Sequence, residues 1–297
     1  MTMLETLTVV VTCTDRKAMK PSPELTVQSL TGSSMGERVG QWVDRIDSTP
    51  PRFRLRDLYR GDSWRQALSL EASALRTAQR VRVLVASAGL GLRDIDSSAA
   101  PYSATFSSGN VDTVGTDSTQ LAEWWSGLQA STSALSIDAA LDGPTLLVLS
   151  NAYARAMGPS LAALRSRDNV LTFGGHDAAS IGPRIAADMT LRSALGGTAM
   201  TLNLRSAIKW VELCDREDIF SEQSQVRWQE WSRAASKLET YDRTPQSDNE
   251  IKGWIAKVIR NEPLISRTAA LRTLRRAGLA CEQNRFARLF ALVGGAR

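Results

Sequence analysis

Leu7-Thr8-Val9-Val10-Val11-Thr12, running straight into Cys13-Thr14-Asp15-Arg16-Lys17, is the stretch on which the fold turns. Its apolar part is rich in valine and shows almost no in-out alternation. That is the signature of a strand covered on both faces, which belongs in a parallel sheet. The same composition returns at 81–87 (VRVLVAS), 145–150 (TLLVLS) and 169–173 (NVLTF). Helical spacing lies between these runs. Residues 64–79 place Leu68, Ala72 and Leu75 on one stripe, and 119–135, opened by Ser118 as a cap, and 152–165 follow. Strands alternating with helices imply right-handed crossovers and an α/β fold with a parallel central sheet flanked by helices. Residues 21–35 and 89–115, rich in Ser, Gly, Asp and Pro, read as long loops.

The charge is unevenly placed. The whole chain carries +5, yet residues 243–297 alone hold 11 Lys/Arg against 4 Asp/Glu, so the rest is slightly acidic. A localised basic excess is what a polyanion-binding surface needs, because each neutralised phosphate releases a counterion. Two domains follow: an α/β domain over 1–241, whose last part (204–241) is helical, and a basic helical module over 249–297, joined by the polar segment 242–249 (DRTPQSDN). The module reads as an all-helical, helix-turn-helix-like element with helices at 249–260, 267–277 and 282–293, Ser266 capping the second and Gly278 ending it. Arg272, Arg275, Arg276, Arg285 and Arg288 are its candidate nucleic-acid contacts.

Several classes are disfavoured. No apolar run reaches the roughly 18 residues of a membrane span. The amino-terminal segment lacks a basic start and a small-residue cleavage site, so a cytoplasmic protein is expected. Three scattered cysteines and one histidine suit neither a disulfide framework nor a common zinc site, and no metal or other cofactor is expected. Gly89 and Gly91 form a GxG without the third glycine of a dinucleotide fingerprint, and no Walker A or GxSxG motif is present.

In an open parallel sheet, ligands bind beyond the carboxyl ends of the strands. Those ends hold Cys13, Asp15 and Lys17, then Ser87, then Asn151, then His176. A carboxylate, a carboxamide and the sole imidazole are thus brought toward one edge.

Three short motifs, Cys13-Thr14-Asp15-Arg16-Lys17, Ser87-Ala88-Gly89-Leu90-Gly91-Leu92 and Pro101-Tyr102 with Thr105, resemble a bacterial family with a Cys-Ser-x-x-Lys opening, a Ser-Ala-x-x-Gly-Leu strand end and a Pro-Tyr loop. That family is similar to the domain of archaeosine-type transglycosylase relatives, whose fold is uracil-DNA-glycosylase-like. The resemblance covers about the first 110 residues and departs at Thr14, which keeps the hydroxyl of the usual serine. Residues 266–290 resemble a helix-turn-helix appendage of related defence-associated proteins, for which phage-defence DNA glycosylases that remove glucosylated hydroxymethylcytosine are the functional precedent. The resemblance implies excision of a modified cytosine from phage DNA in antiviral defence, leaving an abasic site. Asp15, with Asp96 as its rival, would orient the water. Asn151 would read the base edge and His176 would donate to the leaving base. Tyr102 or Phe106 would stack on the flipped base, and Lys17 would touch a phosphate or attack the sugar. Cys13 and Ser87 would line the substrate site. The alternatives are a non-catalytic module that recognises a modified base or tRNA, and a nucleotide-processing enzyme, which the basic tail disfavours.

Overall fold

The computed structural model describes residues 3–294 apart from 132, 163, 165–167, 176–181, 215–217 and 239–242. The chain divides into two compact units, Met1–Lys237 and Leu238–Arg297.

The first unit is α/β. Its sheet contains β1 (Leu4–Thr12), β2 (Ala78–Ser87), β3 (Gly91–Asp94), β4 (Thr145–Leu149), β5 (Val170–Gly174) and β6 (Arg184–Ile185), in the order β3-β2-β1-β4-β5-β6. Every pairing is parallel except that of β2 with β3. Val9 lies beside both Val83 and Leu146 in the register, and Leu7, Val9, Val10 and Val11 are wholly buried. The unbroken apolar runs are the centre of the sheet, as their composition requires. A parallel central sheet flanked by helices is therefore what the chain forms.

Two helix groups cover the sheet. One contains α1 (Met35–Ser48), α3 (Ser118–Gln129) and α4 (Asn151–Ala156). The other contains α2 (Asp62–Ala74), α5 (Leu202–Cys214) and α6 (Glu222–Ala235). The crossover through α2 leads from β1 to one side, and that through α3 returns to the other, so right-handedness puts the groups on opposite faces. This reversal makes the junction of β1 and β4 the topological switch point.

Several local expectations need correction. Residues 89–115 are not all loop, because Gly91–Asp94 turns back as an edge strand. The helix expected to 79 ends at Ala74, since 78–87 joins the sheet. Asp117, not Ser118, caps α3, accepting from Gln120 N at 2.9 Å. α1 begins where a loop was expected to end, and a reciprocal box between Ser34 and Glu37 opens it.

The second unit packs α7 (Asp248–Asn261), α8 (Arg267–Arg276) and α9 (Gln283–Gly294) around Ile251, Ile255, Leu274, Phe286 and Leu289. Ser266 caps α8 by accepting from Ala269 N, and Gly278, at φ 75°, lets the chain turn out of it. The segment expected as linker belongs to this unit: Thr244–Pro245 pairs in parallel with Leu279–Ala280. Among the described residues, no helix is long and apolar enough to cross a membrane.

Candidate functional site

The switch point holds a crevice of about 290 Å³. Thr12, Cys13, Thr14 and Asp15 line it from β1, and Ser150 and Tyr153 from the start of α4. Asp62 contributes from α2 and Asn203 from α5.

The loop after β1 is sewn down by its own polar groups. Thr14 Oγ1 donates to the carbonyl of Arg60 at 3.0 Å, Arg60 N donates to that of Arg16 at 2.9 Å, and Ala18 N to that of Leu58 at 2.8 Å. Arg60, Gly61 and Asp62 are thereby held at the crevice, with Gly61, at φ 105°, making a turn that a side chain would strain. Lys17 belongs to this stitching. Its Nζ donates to the carbonyls of Thr14 (3.2 Å) and Asp15 (3.3 Å) and lies 4.4 Å from the Tyr102 ring centre. Burial lowers the Lys17 pKa, partly offset by attraction to Cys13, Asp15 and Asp112. Lys17 is thus engaged inward and does not line the crevice, which argues against the phosphate contact or nucleophile imagined for it.

The Ser87-Ala88-Gly89-Leu90 turn is buried, and a buried turn must satisfy its backbone internally. Ser87 Oγ accepts from Gly89 N and Leu90 N, both at 3.1 Å, and Ala88 N donates to the Tyr153 hydroxyl at 3.3 Å. The Trp124 and Trp42 indoles donate to the carbonyls of Ala88 (2.7 Å) and Gly89 (2.8 Å). With two bonds accepted, Ser87 has its proton left to give to the Tyr102 hydroxyl at 2.5 Å, and Tyr102 contacts the Tyr59 hydroxyl at 2.6 Å. A β-carbon on Gly89 would come within 2.4 Å of the Tyr102 ring, so only glycine lets that ring lie on the turn.

The consequence for two expected site residues is direct. Tyr102 and Ser87 are fully buried and knit the core, so Tyr102 offers no face to a flipped base. Phe106 is buried as well, edge-on to Tyr153 at 4.9 Å, and stiffens the crevice wall from behind. Tyr153 and Cys13 are the members of this aromatic cluster that reach the crevice, and Cys13 Sγ lies 3.0 Å from the Tyr153 hydroxyl. Desolvation pushes the phenols of Tyr59, Tyr102 and Tyr153 well above the usual tyrosine range, with the negative charge available to Cys13 adding to it.

The two expected carboxylates are separated. Asp15 is exposed on the crevice, and its side chain has no hydrogen-bonded partner among the described residues. Asp96 lies in the turn beyond β3, where it pairs with Arg56 at 3.3 Å, and is not part of the crevice lining. Asn151 is the first residue of α4 with its side chain exposed. Ser150 is the cap there, accepting from Tyr153 N at 3.4 Å, and Asn151 does not line the crevice. His176 falls outside the described residues.

Two residues not anticipated from sequence, Asn203 and Asp62, complete the lining, and a third, Asp112, lies behind it near Lys17. Asn203 supplies the carboxamide that Asn151 was expected to provide. Its Nδ2 donates to the Leu149 carbonyl at 2.9 Å across the bare Cα of Gly174, and its Oδ1 is buried with no partner among the described residues. Asp62 is held by Arg65 at 3.1 Å and Arg205 at 3.7 Å. Asp112, a buried carboxylate, accepts from Gln28 N at 3.1 Å and lends its charge to Lys17. No short motif marks any of the three. A larger hollow of about 1020 Å³ lies between α1 and α3, lined mainly by small and apolar residues such as Gly40, Val43, Ala122 and Gly127, and away from these polar groups. Among the described residues, no cluster of three or more His, Cys, Asp or Glu side chains is placed to hold a metal ion.

In the second unit, Arg272, Arg275 and Arg276 lie on α8 and Arg288 is exposed on α9. Arg285 differs from them. Its guanidinium is held by Asp248 at 2.6 Å and donates to the Gln246 carbonyl at 2.8 Å. That pairing raises its pKa and ties α9 to the start of α7, so Arg285 is a structural cation rather than a free phosphate contact.

No family model, curated protein or solved structure matches the chain.

Proposed function

We propose that the chain is a DNA glycosylase that hydrolyses the N-glycosidic bond of a modified cytosine, with the switch-point crevice as its active site and the second unit as its DNA-docking part. The observation that carries the reading is the exposed Asp15 carboxylate, free of hydrogen bonds among the described residues, in a crevice that also holds hydroxyls, a carboxamide and a phenol. Cleavage passes through a positively charged sugar, so a carboxylate with free oxygens is the group that can orient a water and face that charge. Tyr153, its phenol kept protonated by burial, is a hydrogen-bond donor suited to the leaving base. Glucosylated hydroxymethylcytosine as the base, and phage defence as the setting, come from the motif resemblance.

Incubating the protein with DNA that carries glucosylated hydroxymethylcytosine, and with unmodified DNA, tests this. Alkali-labile abasic sites in the modified DNA alone, lost in Asp15→Asn, are the expected result. Binding without abasic sites in wild type would overturn the enzyme reading in favour of a recognition module.

A further inference from the structure

The arginines of α8 are arranged in a way that the charge count does not reveal. Arg267, Thr268, Leu271, Arg272, Arg275 and Arg276 follow the spacing i, i+1, i+4, i+5, i+8 and i+9, which is one continuous helix face. That face lines a cleft of about 320 Å³, which Arg243, Gln283 and Phe286 complete. Five guanidiniums thus surround one small cavity, and none of the described residues lining it is acidic.

Guanidiniums remain charged at any physiological pH, so the repulsion that Arg267, Arg272 and Arg276 add is relieved by an anion; Arg275 also donates to the Cys281 carbonyl at 3.5 Å. The neighbouring carboxylate, Glu282, lends its charge to Arg275 and Arg288 and has no hydrogen bond or ion pair with Arg267, Arg272 or Arg276 among the described residues. Glu282 accepts from Asn284 N at 2.8 Å and Arg285 N at 2.7 Å, which uses it as the cap of α9. Arg267, Arg272 and Arg276 are exposed and have no hydrogen bond or ion pair among the described residues. Leu271 and Phe286, both buried, form a rigid apolar floor beneath them. A planar fork of donors is the geometry that grips a phosphate through two oxygens. The volume sits at the small end of ligand cavities, a size for a phosphate and its flanking sugar rather than a base pair.

We infer that this cleft is a phosphate-binding site for the nucleic-acid backbone, built from Arg267, Arg272 and Arg276 with Arg243 and Arg275, and that the basic charge elsewhere in the unit contributes less. The inference rests on the docking role proposed for the second unit and is independent of the excision chemistry.

The test uses the full chain, with pyrophosphate binding followed by calorimetry and a labelled single-stranded oligonucleotide followed by fluorescence anisotropy. The variants are Arg267→Ala/Arg272→Ala, its charge-keeping counterpart Arg267→Lys/Arg272→Lys, and Lys257→Ala, an exposed cation on α7 outside the cleft lining. The alanine pair should weaken oligonucleotide binding about tenfold or more and reduce the slope of log K against log salt by about 1.4, since each lost phosphate contact removes about 0.7 for a single strand. It should also abolish pyrophosphate binding, with partial recovery in the lysine pair and little change in Lys257→Ala. Equal losses in the alanine pair and Lys257→Ala, once scaled per charge, would overturn the cleft and leave a diffuse docking surface. Cleft-dependent pyrophosphate binding without oligonucleotide binding would keep the cleft, assign it to free phosphate esters and overturn the docking reading. Binding of neither probe would overturn both.

Discussion

Around Ser87 in the first unit, each polar group of the turn already has a protein partner, whereas along α8 in the second unit three guanidiniums have none among the described residues. The first arrangement is uncharged, buried and closed upon itself. The second is charged, exposed and of one sign. A hydrogen-bonded turn with no spare donor or acceptor gives a fixed wall on which a site can be placed. A row of like charges lowers the stability of the isolated unit and draws in an anion from outside. Polar residues at strand ends and basic residues on helices are therefore not equivalent evidence for binding. What separates them is whether the fold has already used their bonding capacity.

The largest effect should come from breaking the closed network. Ser87→Ala leaves two buried N–H groups and one phenol short of a partner, and a loss of about 2–4 kcal/mol is expected in urea unfolding followed by tryptophan fluorescence. A change near zero would mean that the turn is not a network. Gly89→Ala, which drives a methyl into the Tyr102 ring, should cost about 1–3 kcal/mol by the same measurement.

Alkaline pH acts on the same residues. Tyr59, Tyr102 and Tyr153 hold their protons in the folded state above the ordinary tyrosine range, while the unfolded chain releases them near pH 10. The folded state then binds more protons, so stability is intact below about pH 10 and falls above it. Lys17, with its pKa lowered, works in the opposite direction between its folded value and the ordinary lysine value, as one group against three. Phenolate absorbance should therefore rise late and together with unfolding. Three tyrosines titrating freely at pH 10 in folded protein would contradict the burial argument.

The smallest effects contrast two arginines. Arg285→Ala removes a cation held by Asp248 and Gln246, and should lower the melting temperature of the second unit while leaving DNA affinity nearly unchanged. Arg272→Ala should do the reverse, with stability altered by less than about 0.5 kcal/mol and salt-sensitive DNA binding weakened. Identical behaviour of the two would erase the distinction between structural and docking cations.

The sheet was legible because strands buried on both faces leave uninterrupted valine and leucine, as in 7–12 and 145–149. α1 carried readable signals too, in the Ser34-x-x-Glu37 box and in the helical spacing of Met35, Val39, Trp42, Val43 and Ile46, but its start lies in a Ser- and Pro-rich stretch that reads as loop. β3 was hidden because three residues, Ala88-Gly89-Leu90, link it to β2 without an Asn-Gly type turn. At the site, the strand-end rule located Cys13 and Asp15, whose positions follow from the sheet alone, while at the third strand end it is Ser150 and not the expected Asn151 that lines the crevice. Asn203 and Asp62 sit on helices of the opposite layer, and only tertiary packing brings them to the crevice. The Ser-Ala-Gly-Leu and Pro-Tyr motifs were visible as patterns, yet their physical role is to interlock the core around Ser87 and Tyr102.

The short pairing of Thr244–Pro245 with Leu279–Ala280 bears on how the second unit could be moved between proteins. A fragment cut at Asn249, where helical periodicity begins, would lose this strand, the Ser247 cap of α7 and Arg243 from the cleft. The smallest transplantable piece begins ahead of Arg243. Grafted from there onto an unrelated carrier, it would bring its own closure of the α8–α9 turn with it, whereas the shorter graft would arrive with that turn unlatched.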